Sequence, residues 1–405
     1  MTITSIKFER FIKAPPHQVY NSFTNSTAMR EWMCDVATTE TKPGGRFYAA
    51  WNSGYYTSGE FIALEPDKSV SFTWRGRGYP RDTQVSVTLK KKIGGTQLRL
   101  IHKGLGKGAI WESIQQDIQY GWESGLENLI SVLETGEDLR FSLRPMLGIF
   151  TGEFNEVVAK RIGVPVQQGI RIAGVVDGMG AKAAGLQNDD VLVGMAGKEI
   201  KTPGDLNYTL QRKRAGDWVD VTIYRGMNKM SYQMQLSKRP IPEIPTTVTG
   251  LAKAAEKRSE EEISKINKFF ATITEEAASY KPAPDEWSAK EILAHLIHDH
   301  RGTQQIFGLM IGGHEQWADD WGGNIHALNK ATVTAYPTLL ELLEEYRRSS
   351  GETVALLANI PSEFSQRKST LWRMGLYALA EPSHLSIHMV QLQDVIDAYQ
   401  KNKGN

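Results

Sequence analysis

The sequence predicts a multidomain protein: an α+β domain first, then a small mostly-β domain, then an all-α up-down four-helix bundle. Three observations carry this. The texture changes near residue 140 and again near 240, aromatic and β-branched residues alternate through the first stretch, and apolar residues recur at helical spacing through the last. At 405 residues the chain has the length of two or three domains, each able to bury its own core. The expected boundaries are 1–138, 140–240 and 248–403.

Composition excludes several classes. Hydrophobic residues make up 40% and charged residues 23%, the balance of a folded globular chain rather than a disordered one. A net charge of +1 supplies no field to steer nucleic acid or an acidic membrane surface, so neither is expected as a partner. No apolar run reaches the length of a bilayer span. The opening residues are polar and alternating, without a charged-then-apolar leader, and Cys34 is the sole cysteine, so no internal disulfide can form. A cytoplasmic location is the expectation.

In the first stretch Ile6 to Ile12 alternates as a strand. Ala14-Pro15-Pro16 then opens a helix, with proline in the first turn where its missing N–H costs nothing. After Gly44-Gly45 the segments 46–51, 59–64, 70–74, 84–90 and 96–102 read as strands, the Lys90-Lys91-Lys92 run lying at a solvated hairpin end. Ile114, Ile118, Trp122, Leu126, Leu129, Ile130 and Leu133 lay one apolar stripe along a final long helix. Ala14-Pro15, Trp32-Met33, Gly44-Gly45-Arg46-Phe47, Gly59-Glu60-Phe61, Phe72-Thr73-Trp74, His102-Lys103-Gly104-Leu105 and Gly121-Trp122 follow one another in the order of a known family. The stretch resembles the bacterial activator-of-heat-shock-ATPase-like branch of the START-like (SRPBCC) superfamily. That resemblance implies a helix-grip fold, an antiparallel sheet curled around the long helix, with an apolar ligand or a protein partner. Five of the ten tryptophans lie here, to line a cavity or to fill the core. No acid–base constellation accompanies them.

From 140 to 240 glycine is frequent and strands are short. Gly174-Val-Val-Asp-Gly178 through Gly185-Leu186 to Asp189-Asp190-Val191, continuing to Pro203-Gly-Asp205-Leu206, resembles a bacterial PDZ domain of the HtrA type. The resemblance implies that Leu147, Gly148 and Ile149 offer backbone N–H groups to the carboxylate of a C-terminal peptide, which adds as a strand. Leu206 and Leu210, one helical turn apart, would form the other wall. The alternative is a domain that acts only as spacer or contact. No protease triad accompanies the segment. Lys238-Arg-Pro240-Ile-Pro242-Glu-Ile-Pro245 follows as a semi-rigid linker.

Beyond it, amphipathic helices are expected at 249–277, 288–312, 335–358 and 380–401, calling for a bundle. Ser288 with Glu291 spells a capping box, and Pro382 is expected in the first turn of the last helix. Seven of the nine histidines fall in this third of the chain. His384 and His388 are one turn apart on one helix face, and His295 lies on another helix, so three imidazoles can meet at one ion with positions left for water or substrate. Taken alone, an HxxxH pair reads more readily as satisfied or surface histidines than as a site. Pro282-Ala-Pro284-Asp-Glu286-Trp287-Ser288 through Glu291 to His295-Leu296 resembles the DinB-like metal-dependent bundles, which include thiol-dependent S-transferases and maleylpyruvate isomerases. This implies a divalent ion, zinc or nickel, held by His295, His384 and His388, and a small thiol attacking an electrophile. Glu291 and His298 are candidates to support the ligands from behind, though Glu291 is equally the capping acid and His298 a polar lining residue. His300, His314 and His326 are expected at the surface. The leading expectation is a metal-dependent transferase; the alternative is a non-catalytic adaptor or co-chaperone-like protein.

Overall fold

The computed structural model describes residues 4–210, 213–283, 286–313 and 325–404. His314 lies outside them. The chain divides into two compact units, Met1–Val132 with Asp138–Pro240, and Leu133–Glu137 with Ile241–Asn405.

The first unit begins with β1 (Thr4–Ile12), α1 (Pro16–Thr24) and α2 (Ser26–Trp32). There follow β2 (Val36–Thr39), β3 (Arg46–Ala50), β4 (Tyr56–Glu65), β5 (Ser69–Gly76), β6 (Thr83–Lys92), β7 (Gly95–Leu105) and the long α3 (Ala109–Glu134). The seven strands form one antiparallel sheet in the order β1-β7-β6-β5-β4-β3-β2. Alternation sets its faces: Val70, Phe72 and Trp74 of β5 and Val85, Val87 and Leu89 of β6 are buried. Against them α3 buries Trp111, Ile118, Trp122, Leu126, Leu129 and Val132. Trp32, Trp74, Trp111 and Trp122 are core residues. The space left among Phe23, Met29, Met33, Phe47, Phe61, Phe72 and Trp74 is a cavity of about 10 Å³. That is the room of about one water-sized sphere, and its lining is apolar.

His102, on β7, is fully buried beneath α3. Trp122 Nε1–H donates to its Nδ1 at 3.0 Å, leaving Nε2–H to donate to Thr83 Oγ1 at 2.7 Å. The Thr83 hydroxyl in turn donates to Trp74 O at 2.8 Å. Burial pushes the imidazole pKa down to about 3, so the ring is neutral and each of these linked side-chain atoms of Trp122, His102 and Thr83 has a partner.

After α4 (Leu139–Ser142) a second sheet takes the order β13-β12-β10-β9-β8, with β11 paired to β10. Its strands are β8 (Ile149–Gly152), β9 (Ile170–Val175), β10 (Val191–Met195), β11 (Lys198–Glu199), β12 (Trp218–Arg225) and β13 (Asn228–Gln235). Between them run α5 (Glu156–Ile162), α6 (Gly180–Ala183) and α7 (Pro203–Leu210). β8 is an edge strand. The junction with the first sheet domain is tied by side chains. Asn128 of α3 donates to Trp32 O and accepts from Leu139 N, while Arg140 reaches Cys34 O and Arg30 O.

The second unit is helical: α8 (Val248–Phe270), α9 (Glu275–Ser279), α10 (Ala289–Gly312), α11 (Ile325–Ala335), α12 (Leu339–Ala358), α13 (Lys368–Leu379) and α14 (His384–Gly404). The long helices α8, α10, α12 and α14 are the expected bundle; α9, α11 and α13 are additional. Ile292, Leu293, Leu296 and Ile297 of α10 pack with Leu342 and Tyr346 of α12 and with Leu385, Leu392 and Val395 of α14. Each such leucine is worth about 1.5–3 kcal/mol over an exposed one. The Ser288–Glu291 capping box forms as its spacing requires. The last helix starts later than expected: Ser383 Oγ accepts Ser386 N–H at 3.1 Å as the N-cap, so Pro382 stands just outside the helix instead of in its first turn.

Candidate metal centre

His295 lies in the second turn of α10, whose start the capping box fixes, while the Ser383 cap makes His384 the first residue of α14 and puts His388 one turn on. The three rings meet. His384 Nε2 is 3.2 Å from His295 Nε2 and 2.9 Å from His388 Nε2, with all three ligand atoms within 4.8 Å of one another. Each ring is partly buried.

What the Nδ1 atoms do decides the character of the cluster. His388 Nδ1 is 2.8 Å from Gln391 Oε1, and His384 Nδ1 is 3.1 Å from Asp299 Oδ1. Both neighbours are acceptors, which favours the proton on each Nδ1 and a lone pair on each Nε2; the His384 contact is at ion-pair distance without being aligned as a hydrogen bond. Two lone pairs 2.9 Å apart repel unless a cation lies between them. A shared proton is disfavoured, since burial and then the neighbouring His384 and His388 push the His295 pKa down to about 4, and burial lowers that of His388. Imidazole nitrogens that converge in this way are a donor set for a divalent ion. Tetrahedral zinc at its usual bond length would want nitrogens roughly 3.3 Å apart, close to the 2.9 and 3.2 Å that separate His384 Nε2 from the other two. The residues present fit the ion.

The neighbours of the cluster differ from those the sequence offered. Glu291 spends its carboxylate on Ser288 N–H at 2.8 Å and on Lys281 Nζ at 2.7 Å. His298 Nε2 pairs with Thr332 Oγ1 at 2.8 Å. The carboxylate beside the cluster is Asp299. Its side chain is close to half exposed; desolvation would raise its pKa, but the His384 ring beside it, then His300 and His295, outweigh this and hold it below the ordinary value. Its signal was available in outline, since Asp299 stands one turn past His295 on the same face. Trp287 covers one side, its ring 5.0 Å from that of His295 and stacked at 6.5 Å on that of His388. His326 takes the Trp287 Nε1–H at 3.4 Å, and His300 pairs with Ser349 Oγ at 2.9 Å beneath Tyr346. His300 is therefore a partly buried, hydrogen-bonded residue of the bundle and not the surface histidine expected.

In the second sheet domain Leu147 is buried, Gly148 sits at φ +80° and Ile149 opens the edge strand. A Cβ at Gly148 would lie 2.3 Å from Met179 Cβ, so both conformation and space require glycine. Ile149 faces Val175 while Val176 N–H bonds Gly148 O at 2.9 Å, which makes Ile149 a non-hydrogen-bonded position whose N–H and C=O point away from β9. Leu210 is buried in the domain core and Leu206 packs against it.

Family models match in three places: Activator of Hsp90 ATPase homolog 1-like protein over 13–134, PDZ domain over 145–236 and DinB superfamily over 259–381. The chain carries these three segments in that order. The DinB match includes His295 and Asp299 but stops before His384, so the meeting of the triad is a finding of the fold itself. Among curated relatives, the Bacillus subtilis serine protease Do-like HtrA is 33% identical over 78 residues, 19% of this chain and 17% of its own. The human activator of 90 kDa heat shock protein ATPase homolog 1 is 29% identical over 99 residues, 24% and 28% respectively. The Marinomonas probable periplasmic serine endoprotease DegP-like is 28% identical over 97 residues, 24% and 21%. The chain thus spans under a third of each relative's length. Solved structures similar to it include an HSP90 activator from Plasmodium falciparum (23% identity, 32% of this chain, 95% of that one, TM-score 0.28). Another is the Aha1 dimer from Colwellia psychrerythraea (20%, 32%, 96%, TM-score 0.30). Among the described residues no helix is long and apolar enough to cross a membrane.

Proposed function

We propose that the DinB segment is a thiol-dependent transferase or a closely related enzyme, working at a zinc or nickel ion held by His295, His384 and His388. The observation that carries this is the meeting of the His295, His384 and His388 ring nitrogens, all within 4.8 Å of one another, with 3.2 and 2.9 Å between the Nε2 atoms of neighbouring rings. An ion there would supply the positive charge that favours the thiolate form of a small thiol. The protein's own part is to hold three ring nitrogens in place and leave a fourth position open. The Trp287 indole beside His295 and His388 gives a flat apolar wall for an electrophile. Cys34 is no substitute for the cosubstrate thiol: it is fully buried, and burial pushes its pKa up to about 12. A buried lone thiol also suits a reducing, cytoplasmic setting.

The other two segments are read as recruiting modules. The open edge at Ile149 and the Gly148 turn support capture of a C-terminal peptide, with Leu147, Leu206 and Leu210 holding the walls of the groove. In the first domain a 10 Å³ cavity favours a protein partner over an apolar ligand.

The deciding experiment uses protein purified without an affinity tag. It should carry close to one divalent ion per chain, and His388→Ala should lose the ion while its circular dichroism is kept. Cobalt-substituted protein should gain a thiolate-to-metal absorption band on titration with small cellular thiols, and should speed thiol conjugation to a reactive electrophile. An ion that gives neither band nor rate leaves the adaptor as the better reading.

A further inference from the structure

The support around His384 goes one step beyond the proposed ligand set and rests on it. His384 Nδ1 is buried without an aligned hydrogen bond, and the half-exposed carboxylate of Asp299 lies beside it, Oδ1 3.1 Å away. Asp299 stands on α10 one turn after His295, while His384 opens α14. One helix therefore supplies both a ligand and the carboxylate that meets the ligand of the opposite helix. We infer that Asp299 is the positioning residue of the centre: it accepts the Nδ1–H of His384, fixes that tautomer and turns Nε2 toward His295 and His388.

Physical chemistry favours this over a merely structural pair. A ring at the first position of a helix has few neighbours to hold its χ angles, and a free imidazole divides between two tautomers, only one of which leaves Nε2 open. His388 is held within its own helix by Gln391 Oε1 at 2.8 Å. His384 has no such neighbour of its own, and Asp299 does the same work from across the bundle. A carboxylate on the far nitrogen also makes the imidazole a stronger donor.

The test compares full-length wild type, Asp299→Leu and Asp299→Asn. Zinc affinity is measured by competition with a chromophoric chelator, and the His384 tautomer in zinc-free protein by nitrogen-15 NMR. Asp299→Leu should weaken zinc binding by roughly ten- to a hundredfold, with thermal unfolding of the zinc-free protein unchanged. The same change should turn the single His384 tautomer into a mixture. Asp299→Asn, whose amide oxygen still accepts, should recover part of both. Wild-type affinity and a single tautomer in Asp299→Leu would overturn the inference and leave the three-histidine centre standing. Failure of the centre itself would show as a wild type that binds zinc no better than His388→Ala. The tautomer measurement would then still decide whether Asp299 fixes the ring.

Discussion

His102 and the triad at His295, His384 and His388 are two buried or half-buried histidine settings with opposite logic. Around His102 each nitrogen has one partner of the right kind, an indole N–H for the lone pair and a threonine oxygen for the proton. Nothing is left to bind. In the bundle His388 Nδ1 is 2.8 Å from Gln391 Oε1, His384 Nδ1 has the Asp299 carboxylate beside it without an aligned hydrogen bond, and the Nε2 atoms face one another at 2.9 and 3.2 Å. The difference teaches where to look for chemistry: a closed polar chain stabilises a fold, whereas converging acceptors without a donor are a binding capacity.

Substitution should separate the two settings. The largest effect on stability is expected from His102→Leu, which strands the buried Trp122 N–H and should cost about 2 kcal/mol. Urea-dependent amide exchange in β6 and β7 would measure it, and metal content should not change. If that protein is as stable as wild type, His102 is not the closed structural element described. The next effect is a pH slope. Folded His102 has its pKa held near 3, whereas the unfolded ring has an ordinary value near 6.5. Between those values the unfolded chain binds the extra proton, so stability of the first domain falls as pH drops below about 6.5. The slope is at most about 1.4 kcal/mol per pH unit, and His102→Leu should remove that share of it. The smallest effect is expected from His295→Leu in metal-free protein. Removing one of three crowded lone pairs should leave bundle stability within about 1 kcal/mol of wild type, on either side, by calorimetry. A loss of several kcal/mol would show that the triad is a structural network after all.

Much of this was legible in the sequence where the determinants are local. Alternation gave the strands around Phe72 and Val85, and a Ser–Glu pair three residues apart gave the start of α10. His384 and His388 were placed by helical periodicity. α13 was not expected because its burial is not a stripe: Leu371, Trp372, Met374, Gly375 and Leu379 are all covered. Gly375 reads as a helix breaker, yet it lets Ile244 approach to 2.3 Å from where a Cβ would stand. Asp299 escaped notice for a different reason. In a His-Asp-His run a carboxylate reads as solvated, and the residue that gives it meaning is 85 positions away on another helix. Glu291 was offered in its place because its spacing from His295 is as good, but the helix start and Lys281 claim it first.

The position of His384 as the first residue of α14 has a kinetic consequence. The opening turn of a helix is where exchange with solvent is fastest, because its N–H groups lack helical partners. Two of the three proposed ligands belong to that turn and the next. An ion at one hundred times its dissociation constant would add about 2.7 kcal/mol to the closed form of this terminus alone. The C-terminal helix would then be a segment whose opening rate reports occupancy. Amide protection across 384–392 should rise with free zinc while that of α8 stays constant, which makes the first turns of α14 a readable clasp.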